Sequence, residues 1–285
     1  MKTFLPLFLT LFLSFEVASN EELFIVSDID DTIKITHVGS AEMFVKGLQS
    51  HNHFLGINEL YMRWSCFGLK NNRSSCMKER AKVMAGQRRM SYVSGAPKPI
   101  HKLAKNFLKK NNFPSVPFYG RPSLRVHTLD FKIEIIEKII KKNPRSKFIF
   151  VGDNGEKDPT VYNTLSKKYP KKIEASYLHA LYDIKGKKTS LYPEQIPYLT
   201  SVDLGIHFYN KGWVTSEDLK KVTQMVIKTY KKKPKNLIPK WFHCKKYFSY
   251  GLWPSLKGTA VSQNNELNQL ISKAKGIIKG LKSCR

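Results

Sequence analysis

The segment Asp28-Ile29-Asp30-Asp31-Thr32 brings three carboxylates together just after the apolar run Leu23-Phe24-Ile25-Val26. A carboxylate such as Asp28 can attack phosphorus and form an aspartyl-phosphate, and a second one, Asp30, can protonate the leaving oxygen and later activate water. Two carboxylates this close repel each other unless a cation lies between them. The pair therefore predicts a divalent cation, and oxygen ligands favour Mg²⁺. Taken alone, Asp31 is expected to be a solvent-facing turn carboxylate.

Three further segments carry groups that suit phosphoryl transfer. The turn Ser94-Gly95-Ala96-Pro97 follows a second apolar run, and its hydroxyl and backbone N–H groups can donate to phosphoryl oxygens, with Gly95 permitting close approach. Asp153 and Asp158 follow a third apolar run and offer further carboxylates. Lys132, near the start of a helical pattern, supplies fixed positive charge, which phosphoryl transfer requires.

The elements around these segments alternate between strand and helix patterns. Short apolar runs predict strands at residues 23–26, 90–93, 147–151 and 173–178, and helical periodicity predicts helices at 100–108, 131–140, 159–169 and 215–228. This alternation is typical of an α/β layer fold with a mainly parallel sheet. In such sheets ligands bind beyond the carboxyl ends of the strands, so we expect the three acidic or hydroxyl-bearing strand ends to meet at one edge.

The four motifs in this order resemble those of the haloacid dehalogenase superfamily of phosphohydrolases, which has a Rossmann-like three-layer fold. The flanking residues are similar to the phosphatidate phosphatase catalytic-domain family of the yeast actin-patch type over roughly residues 23–180. The similar stretches are Ser27–Thr36, Phe54–Tyr61, Tyr92–Pro97 and Phe150–Tyr162.

The resemblance implies a role for each site residue. It implies that Asp28 is the nucleophile and a Mg²⁺ ligand. It implies that Asp30 is the general acid/base and that the backbone carbonyl of Asp30 also reaches the metal. Thr32 would support the loop and belong to the phosphate-binding residues. Ser94, Gly95 and Lys132 would bind the phosphoryl group, with Lys132 also steadying Asp28, and Asp153 and Asp158 would complete the metal site. This full set is Asp28, Asp30, Thr32, Ser94, Gly95, Lys132, Asp153 and Asp158.

The sequence departs from the family at three places. Asn154 stands where a serine is usual, and Ala96 where the turn often carries serine or asparagine. The segment Arg63–Arg89 matches nothing in the family, and as part of an inserted cap it would affect substrate choice.

The N-terminus has the three-part pattern of a secretory signal peptide: Met1-Lys2, an apolar run to Phe15, and Val17-Ala18-Ser19 before a cleavage point. The alternative is an uncleaved anchor. We therefore expect an exported protein, periplasmic or secreted, with a signal peptide at 1–19. A phosphatase domain would cover 20–218 with an insertion at about 35–89, and a basic, aromatic extension 219–285.

Export affects how the cysteines are interpreted, because an oxidising compartment favours disulfides. Three pairings of the four cysteines are possible, and the most local one joins Cys66 to Cys76 and Cys244 to Cys284. Free buried thiols are the alternative. His37, His51 and His53 are expected to be surface or packed residues rather than metal ligands.

The charge distribution indicates an anionic partner. The formal net charge is +27, and residues 219–285 hold a single acid, Glu266. Lysines with aromatic residues in 228–250 suit a phospholipid surface, and they would also suit single-stranded nucleic acid, although we expect no specific nucleic-acid partner. The apolar positions from Leu267 to Leu281 fit either a terminal helix packed on the core, which we favour, or a membrane-surface helix.

These observations predict an exported Mg²⁺-dependent phosphomonoesterase, expected to be a monomer, that acts on phosphatidate or a related lipid phosphate. One alternative is a phosphatase of a soluble phosphate ester, nucleotide or phosphoprotein. An alternative from another class is a non-catalytic binder of anionic surfaces.

Overall fold

The computed structural model describes residues 22–38, 40, 42, 46–47, 49–69, 72–80, 88–182, 191–239, 241–242 and 264–281. The strands in this part of the chain are β1 (Glu22–Ser27), β2 (Arg88–Pro97), β3 (Phe118–Arg121), β4 (Ser146–Asp153), β5 (Ile173–His179) and β6 (Ile196–Tyr198). They form one sheet in the order β3-β2-β1-β4-β5-β6, and all neighbours are parallel. The predicted α/β fold with a parallel sheet is therefore confirmed.

The helices lie between and after these strands. They are α1 (Ile57–Ser65), α2 (Arg73–Lys78), α3 (His101–Lys110), α4 (Thr128–Lys142), α5 (Asp158–Lys168), α6 (Ser201–Asn210), α7 (Ser216–Thr229), α8 (Pro234–Leu237) and α9 (Asn265–Gly280). A 3₁₀ turn, Lys98–Ile100, leads into α3.

Both faces of the sheet are buried, because successive side chains of a strand point to opposite faces. In β1, Leu23 and Ile25 belong to a core with residues of α1, α3, α6, α7 and α9. Phe24 and Val26 belong to a second core with residues of α4 and α5. The sheet is thus the middle layer of three, and β1 is apolar without alternation because it is covered on both sides.

Two strands are absent from the sequence-based prediction. β3 has four residues and none is fully buried, while β6 has three residues and includes Pro197. Strands this short, at the two edges of the sheet, give no apolar run long enough to be recognised in the sequence. The predicted helices lie within about three residues of the observed ones.

The predicted helix start near residue 215 is confirmed by a capping box. The Thr215 side chain accepts from the Asp218 backbone N–H, and the Asp218 carboxylate accepts from the Thr215 N–H. α7 then buries Leu219, Val222 and Val226 in the core. This stabilises a helix that holds the C-terminal part of the chain against the domain.

The terminal helix α9 packs on the core, which confirms the interpretation we favoured over a membrane-surface helix. Leu267, Ile271, Ala274 and Ile278 are buried along one side of α9 and join the core that contains α7. No helix in the described ranges is both long and apolar enough to cross a bilayer.

A disulfide joins Cys66, just after α1, to Cys76 in α2. The predicted pairing is confirmed for this bond, and Cys244 and Cys284 lie outside the described residues. Arg63 and Arg73 both form ion pairs with the buried carboxylate of Asp218. The α1–α2 segment is thereby attached to α7.

The predicted division of the chain stays a prediction. The predicted signal peptide at 1–19 lies outside the described residues, as do residues 243–263. The boundary proposed between residues 218 and 219 falls within α7.

Candidate active site

The strand ends that carry the predicted motifs meet at one edge of the sheet. β1 lies between β2 and β4, so Asp28, directly after β1, is flanked by the ends of the strands that carry Ser94 and Asp153. The backbone N–H of Asp28 donates to Val151 O at 2.9 Å, which fixes it beside β4. The chain runs from β1 to β2 on one side and later returns to β4 on the other, and such switch points form ligand crevices.

Lys132 lies at the centre of this edge and is 2% exposed. Its Nζ donates to Asp28 Oδ1 at 2.9 Å and to Asp158 Oδ1 at 2.5 Å. Burial lowers the pKa of Lys132, but the charges of Asp158 and Asp28 raise it, and its net pKa lies above the ordinary value. The ammonium therefore stays charged and holds both carboxylates in place.

The turn after β4 positions Asp153 and Asp158. Asp153 Oδ1 accepts from the Gly155 N–H at 2.5 Å, and Asp158 Oδ2 accepts from the Asp153 N–H at 3.4 Å. Gly152 makes this possible, because a Cβ at that position would lie 2.3 Å from Asp158 Oδ2. Asp158 can approach β4 only because residue 152 has no side chain.

The carboxylate cluster of Asp28, Asp153 and Asp158 fits a metal ion. One oxygen from each residue lies within 4.8 Å of the other two, and all three residues are buried. Burial raises the pKa of Asp28 and of Asp153 well above the ordinary value, and the neighbouring carboxylates raise both further. Oδ2 of Asp28 and Oδ2 of Asp153 accept no hydrogen bond within the described part of the chain.

Three buried carboxylates beside a single ammonium retain negative charge that needs compensation. A divalent cation with oxygen ligands would supply it, so the residues present suit a hard cation such as Mg²⁺.

Asp30 lines a cavity of about 250 Å³ together with Asp28. Burial raises the pKa of Asp30 to about 6, against an opposing effect of the Lys34 charge. The wall of this cavity consists of Asp28, Asp30, Val38, Gly95, Ala96, Pro97, Ile100, Arg121, Leu124, Thr128 and Glu156. A titratable group with a pKa near neutral in such a cavity is suited to proton transfer.

The Ser94–Pro97 turn forms one side of this cavity. Ser94 Oγ accepts from the Ala96 N–H at 3.0 Å, which holds the turn, and Gly95 lies in the cavity wall. A Cβ at residue 95 would lie 2.8 Å from Thr128 Cγ2, so the glycine allows α4 to pack against the turn. Thr32 is fully buried, and its Oγ1 has no hydrogen-bond partner in the described residues.

The expectation that Asp31 faces solvent is wrong. Asp31 is fully buried, and its Oδ1 accepts from the backbone N–H groups of Thr36 and His37, both at 2.8 Å, and from Thr36 Oγ1. Its Oδ2 accepts from the Val38 N–H at 2.7 Å and from the Tyr182 hydroxyl. The chain folds back after the motif and satisfies the carboxylate with local donors, so Asp31 is a structural residue of the loop.

Asn154, the departure from the usual serine, also has a structural role. Its Oδ1 accepts from the N–H groups of Leu181 and Tyr182, each at 2.9 Å, and its Nδ2 donates to Tyr182 O. These bonds join the turn after β4 to the segment after β5.

The three histidines are packed or exposed, as predicted. His37 stacks on Trp241 with ring centroids 4.2 Å apart, His53 packs edge-on against Phe113, and His51 is exposed. None of them belongs to the metal-compatible cluster found in the described residues.

The sequence-based prediction missed Arg121, Thr128 and Glu156, which line the cavity, and Lys34, whose charge acts on Asp30. Glu156 lies within the Gly152–Asp158 motif, so its position was an available signal. Arg121 ends β3, and a prediction of that edge strand would have placed it with the other strand ends.

Residues 23–180 match the family described as "Phosphatidate phosphatase APP1, catalytic domain", and this range contains all the predicted site residues. The chain is 28% identical over 162 residues to Phosphatidate phosphatase APP1 of Saccharomyces cerevisiae (strain ATCC 204508 / S288c). The match covers 54% of this chain and 25% of the yeast protein, so the chain spans about a quarter of the length of this curated relative. No solved structure gives a significant match.

Proposed function

Because the chain belongs to the phosphatidate phosphatase APP1 catalytic-domain family, we propose that it is a Mg²⁺-dependent phosphomonoesterase of phosphatidate or a related lipid phosphate. The products are diacylglycerol, or the corresponding alcohol, and inorganic phosphate. The observation that carries this proposal is the buried cluster in which Lys132 Nζ joins Asp28 to Asp158, with Asp153 beside them.

Asp28 is the nucleophile. It is held by Lys132 at one oxygen and by Val151 O at its backbone N–H, so it reacts from a fixed position. A carboxylate oxygen forms a bond to phosphorus while the bond from phosphorus to the ester oxygen breaks. This gives an aspartyl-phosphate and the free alcohol, and attack of water on phosphorus then releases phosphate and regenerates Asp28.

Asp30 transfers the protons. Its pKa of about 6 makes the protonated carboxyl accessible near neutral pH, so it can donate to the departing alcohol oxygen. The resulting carboxylate then accepts a proton from the attacking water. Asp30 and Asp28 line the same cavity, which supports assigning the two functions to one substrate site.

The phosphoryl group needs donors and positive charge around it. Gly95 in the cavity wall and Ser94 beside it present the donors of the turn, and Lys132 keeps Asp28 oriented. Asp28, the Asp30 carbonyl, Asp153 and Asp158 would hold Mg²⁺, which when bound would neutralise carboxylate charge and polarise the phosphoryl oxygens.

Phosphate release from purified protein tests this function. Vesicles of phosphatidate in phosphatidylcholine, and a soluble ester such as p-nitrophenyl phosphate, are assayed with Mg²⁺ and with EDTA. We expect Mg²⁺-dependent release that is faster from phosphatidate, and none from Asp28→Asn. Faster release from the soluble ester would favour the soluble-substrate alternative. Release by Asp28→Asn would refute the mechanism, and no release from any ester by wild-type protein would favour the binder.

We further propose that the exported protein meets an anionic membrane surface through its basic C-terminal part. Lys231, Lys232 and Lys233 are exposed just after α7, and no acid lies near them in the sequence. Replacing these three lysines by glutamate should weaken sedimentation with phosphatidate vesicles but leave turnover of the soluble ester unchanged. Unchanged sedimentation would show that this segment is not the membrane contact.

A further inference from the structure

The active-site cavity is rich in negative charge for a site that receives a phosphate ester. Asp28, Asp30 and Glu156 lie in its wall, and Arg121 is the one cation among its described lining residues. The ammonium of Lys132 is already engaged by Asp28 and Asp158. A phosphate dianion that enters this cavity therefore requires positive charge from the wall in addition to a metal ion.

The guanidinium of Arg121 has unused hydrogen-bonding capacity. Its Nη1 donates to Val126 O at 3.1 Å, whereas its Nε is buried and has no partner in the described residues. A buried donor without an acceptor is unfavourable, and arginine presents its N–H groups in a planar fork that matches phosphate oxygens. Because Arg121 lines the cavity, an anionic ligand there would offer an acceptor to its guanidinium.

The backbone of Arg121 is fixed relative to the phosphate-binding turn. His101 Nε2 lies 2.9 Å from Ala96 O and 3.1 Å from Arg121 O, so one ring joins the end of β2 to the end of β3. The ring fits because residue 120 is glycine, where a Cβ would lie 2.2 Å from His101 Nε2. Arg121 is thus held in a set position beside the turn before any ligand binds.

We propose that Arg121 is a further phosphate-binding residue, whose guanidinium donates to the non-bridging phosphoryl oxygens of the substrate and of the phosphate product. The proposal rests on the proposed function and deepens it. Val38, Ile100 and Leu124 form the apolar part of the same wall. The ligand class is therefore a phosphomonoester whose phosphate contacts Arg121 and whose alcohol part carries apolar groups along these side chains.

Calorimetric titration of inorganic phosphate into the full, Mg²⁺-loaded protein tests the proposal without turnover. We expect Arg121→Ala to bind phosphate about 10- to 100-fold more weakly and Arg121→Lys to fall in between, because lysine keeps the charge but loses the fork. Arg125→Ala is the matched control: Arg125 is exposed in the same loop and does not line the cavity. It should bind within about twofold of wild type, since a screened surface charge contributes little.

The same variants are then compared in turnover. Because the phosphoryl group is common to all substrates, kcat/KM should fall by a similar factor for phosphatidate and for p-nitrophenyl phosphate. Unchanged phosphate affinity in folded Arg121→Ala, an equal loss in Arg125→Ala, no phosphate binding by wild type, or a loss confined to the lipid would each overturn the proposal. If Arg121→Ala does not fold, Arg121→Gln and Arg121→Lys replace it in the test. Glutamine removes the charge and lysine keeps it, so phosphate binding by the two variants measures the effect of the charge.

These outcomes separate the phosphate site from the proposed function. Arg121-dependent phosphate binding without hydrolysis of any ester would leave the site standing and refute the phosphatase. Hydrolysis that is unchanged in the Arg121 variants would leave the phosphatase standing and refute the phosphate site at Arg121.

Discussion

Two carboxylates of one motif, Asp28 and Asp31, should respond in opposite ways to the same substitution. Both are buried and lie three residues apart, but Asp31 accepts from four donors of its own loop and from the Tyr182 hydroxyl, whereas Asp28 faces the cavity and Lys132. We expect Asp31→Asn to lower stability strongly with little direct effect on chemistry. Asp28→Asn should abolish activity with little effect on stability.

The magnitude for Asp31→Asn follows from its contacts. An amide nitrogen in place of Oδ2 would face the Val38 N–H, a donor facing a donor, which costs about 2 kcal/mol. The three bonds from Thr36 and His37 to the other oxygen would lose their charge assistance, about 2 kcal/mol together. Backbone strain adds nothing, because the φ of 54° at Asp31 is one that asparagine also tolerates. The expected loss is about 4 kcal/mol.

Asp28→Asn is expected to affect activity rather than stability. The substitution removes a buried charge that lies close to Asp158 and Asp30, and Lys132 keeps its contact with Asp158. Without metal the change in stability should stay below about 1 kcal/mol. Loss of the nucleophile should lower kcat at least about a thousandfold.

Urea unfolding followed by tryptophan fluorescence, together with phosphate release, measures both effects. Tyr182→Phe serves as a control, since it removes a single bond to Asp31 and should cost about 2 kcal/mol. The reasoning fails if Asp31→Asn unfolds within about 1 kcal/mol of wild type. It also fails if folded Asp31→Asn is as inactive as Asp28→Asn, because Asp31 does not line the cavity.

Three further predictions concern a buried cation, a buried ring and the disulfide. Lys132→Met leaves two buried carboxylates unpaired, so the free energy of unfolding should fall by about 3 kcal/mol in EDTA and by less in Mg²⁺. An equal fall in the two conditions would contradict a metal site there. Burial lowers the pKa of His179 to about 4, although hydrogen bonds to carbonyl oxygens oppose this. In the unfolded chain the histidine has a pKa of about 6.5, so as pH falls the unfolded state binds the proton first. Stability relative to His179→Asn should therefore drop by about 2 kcal/mol from pH 7.5 to pH 5, and a flat difference would mean that the ring is charged when folded. Replacing Cys66 and Cys76 by serine opens a loop of 10 residues and should cost about 3 kcal/mol in urea unfolding, whereas no change would show that the bond does not stabilise the fold.

The sequence predicted the central strands and long helices because those elements carry strong periodic patterns. β1 and β4 are apolar runs, and α4 repeats isoleucines at helical spacing. The edge strands β3 and β6 are too short for such a pattern, and their places in the sheet are decided by pairing with β2 and β5. Local sequence does not encode that pairing.

The site residues likewise include some that the sequence could predict and some that it could not. Asp28 and Asp153 were predictable to lie together because each follows a buried strand, and parallel strands end at one edge. The burial of Asp31 was not predictable, because it depends on donors at residues 36–38 and on a tyrosine 151 residues away in the chain. Arg121 was missed for the same reason as β3.

The cavity wall also bears on which part of the chain chooses the substrate. The segment Arg63–Arg89 was expected to affect substrate choice as part of a cap, yet none of its described residues lines the cavity. Its disulfide instead joins α1 to α2, and its arginines attach both helices to α7. The apolar wall comes from Val38, the 3₁₀ turn before α3, and the loop after β3, where Leu124 is 76% exposed. In the proposed function the alcohol part of the phosphate ester lies along this wall, so the loop that carries Arg121 and Leu124 is the better place to seek selectivity for lipid phosphates.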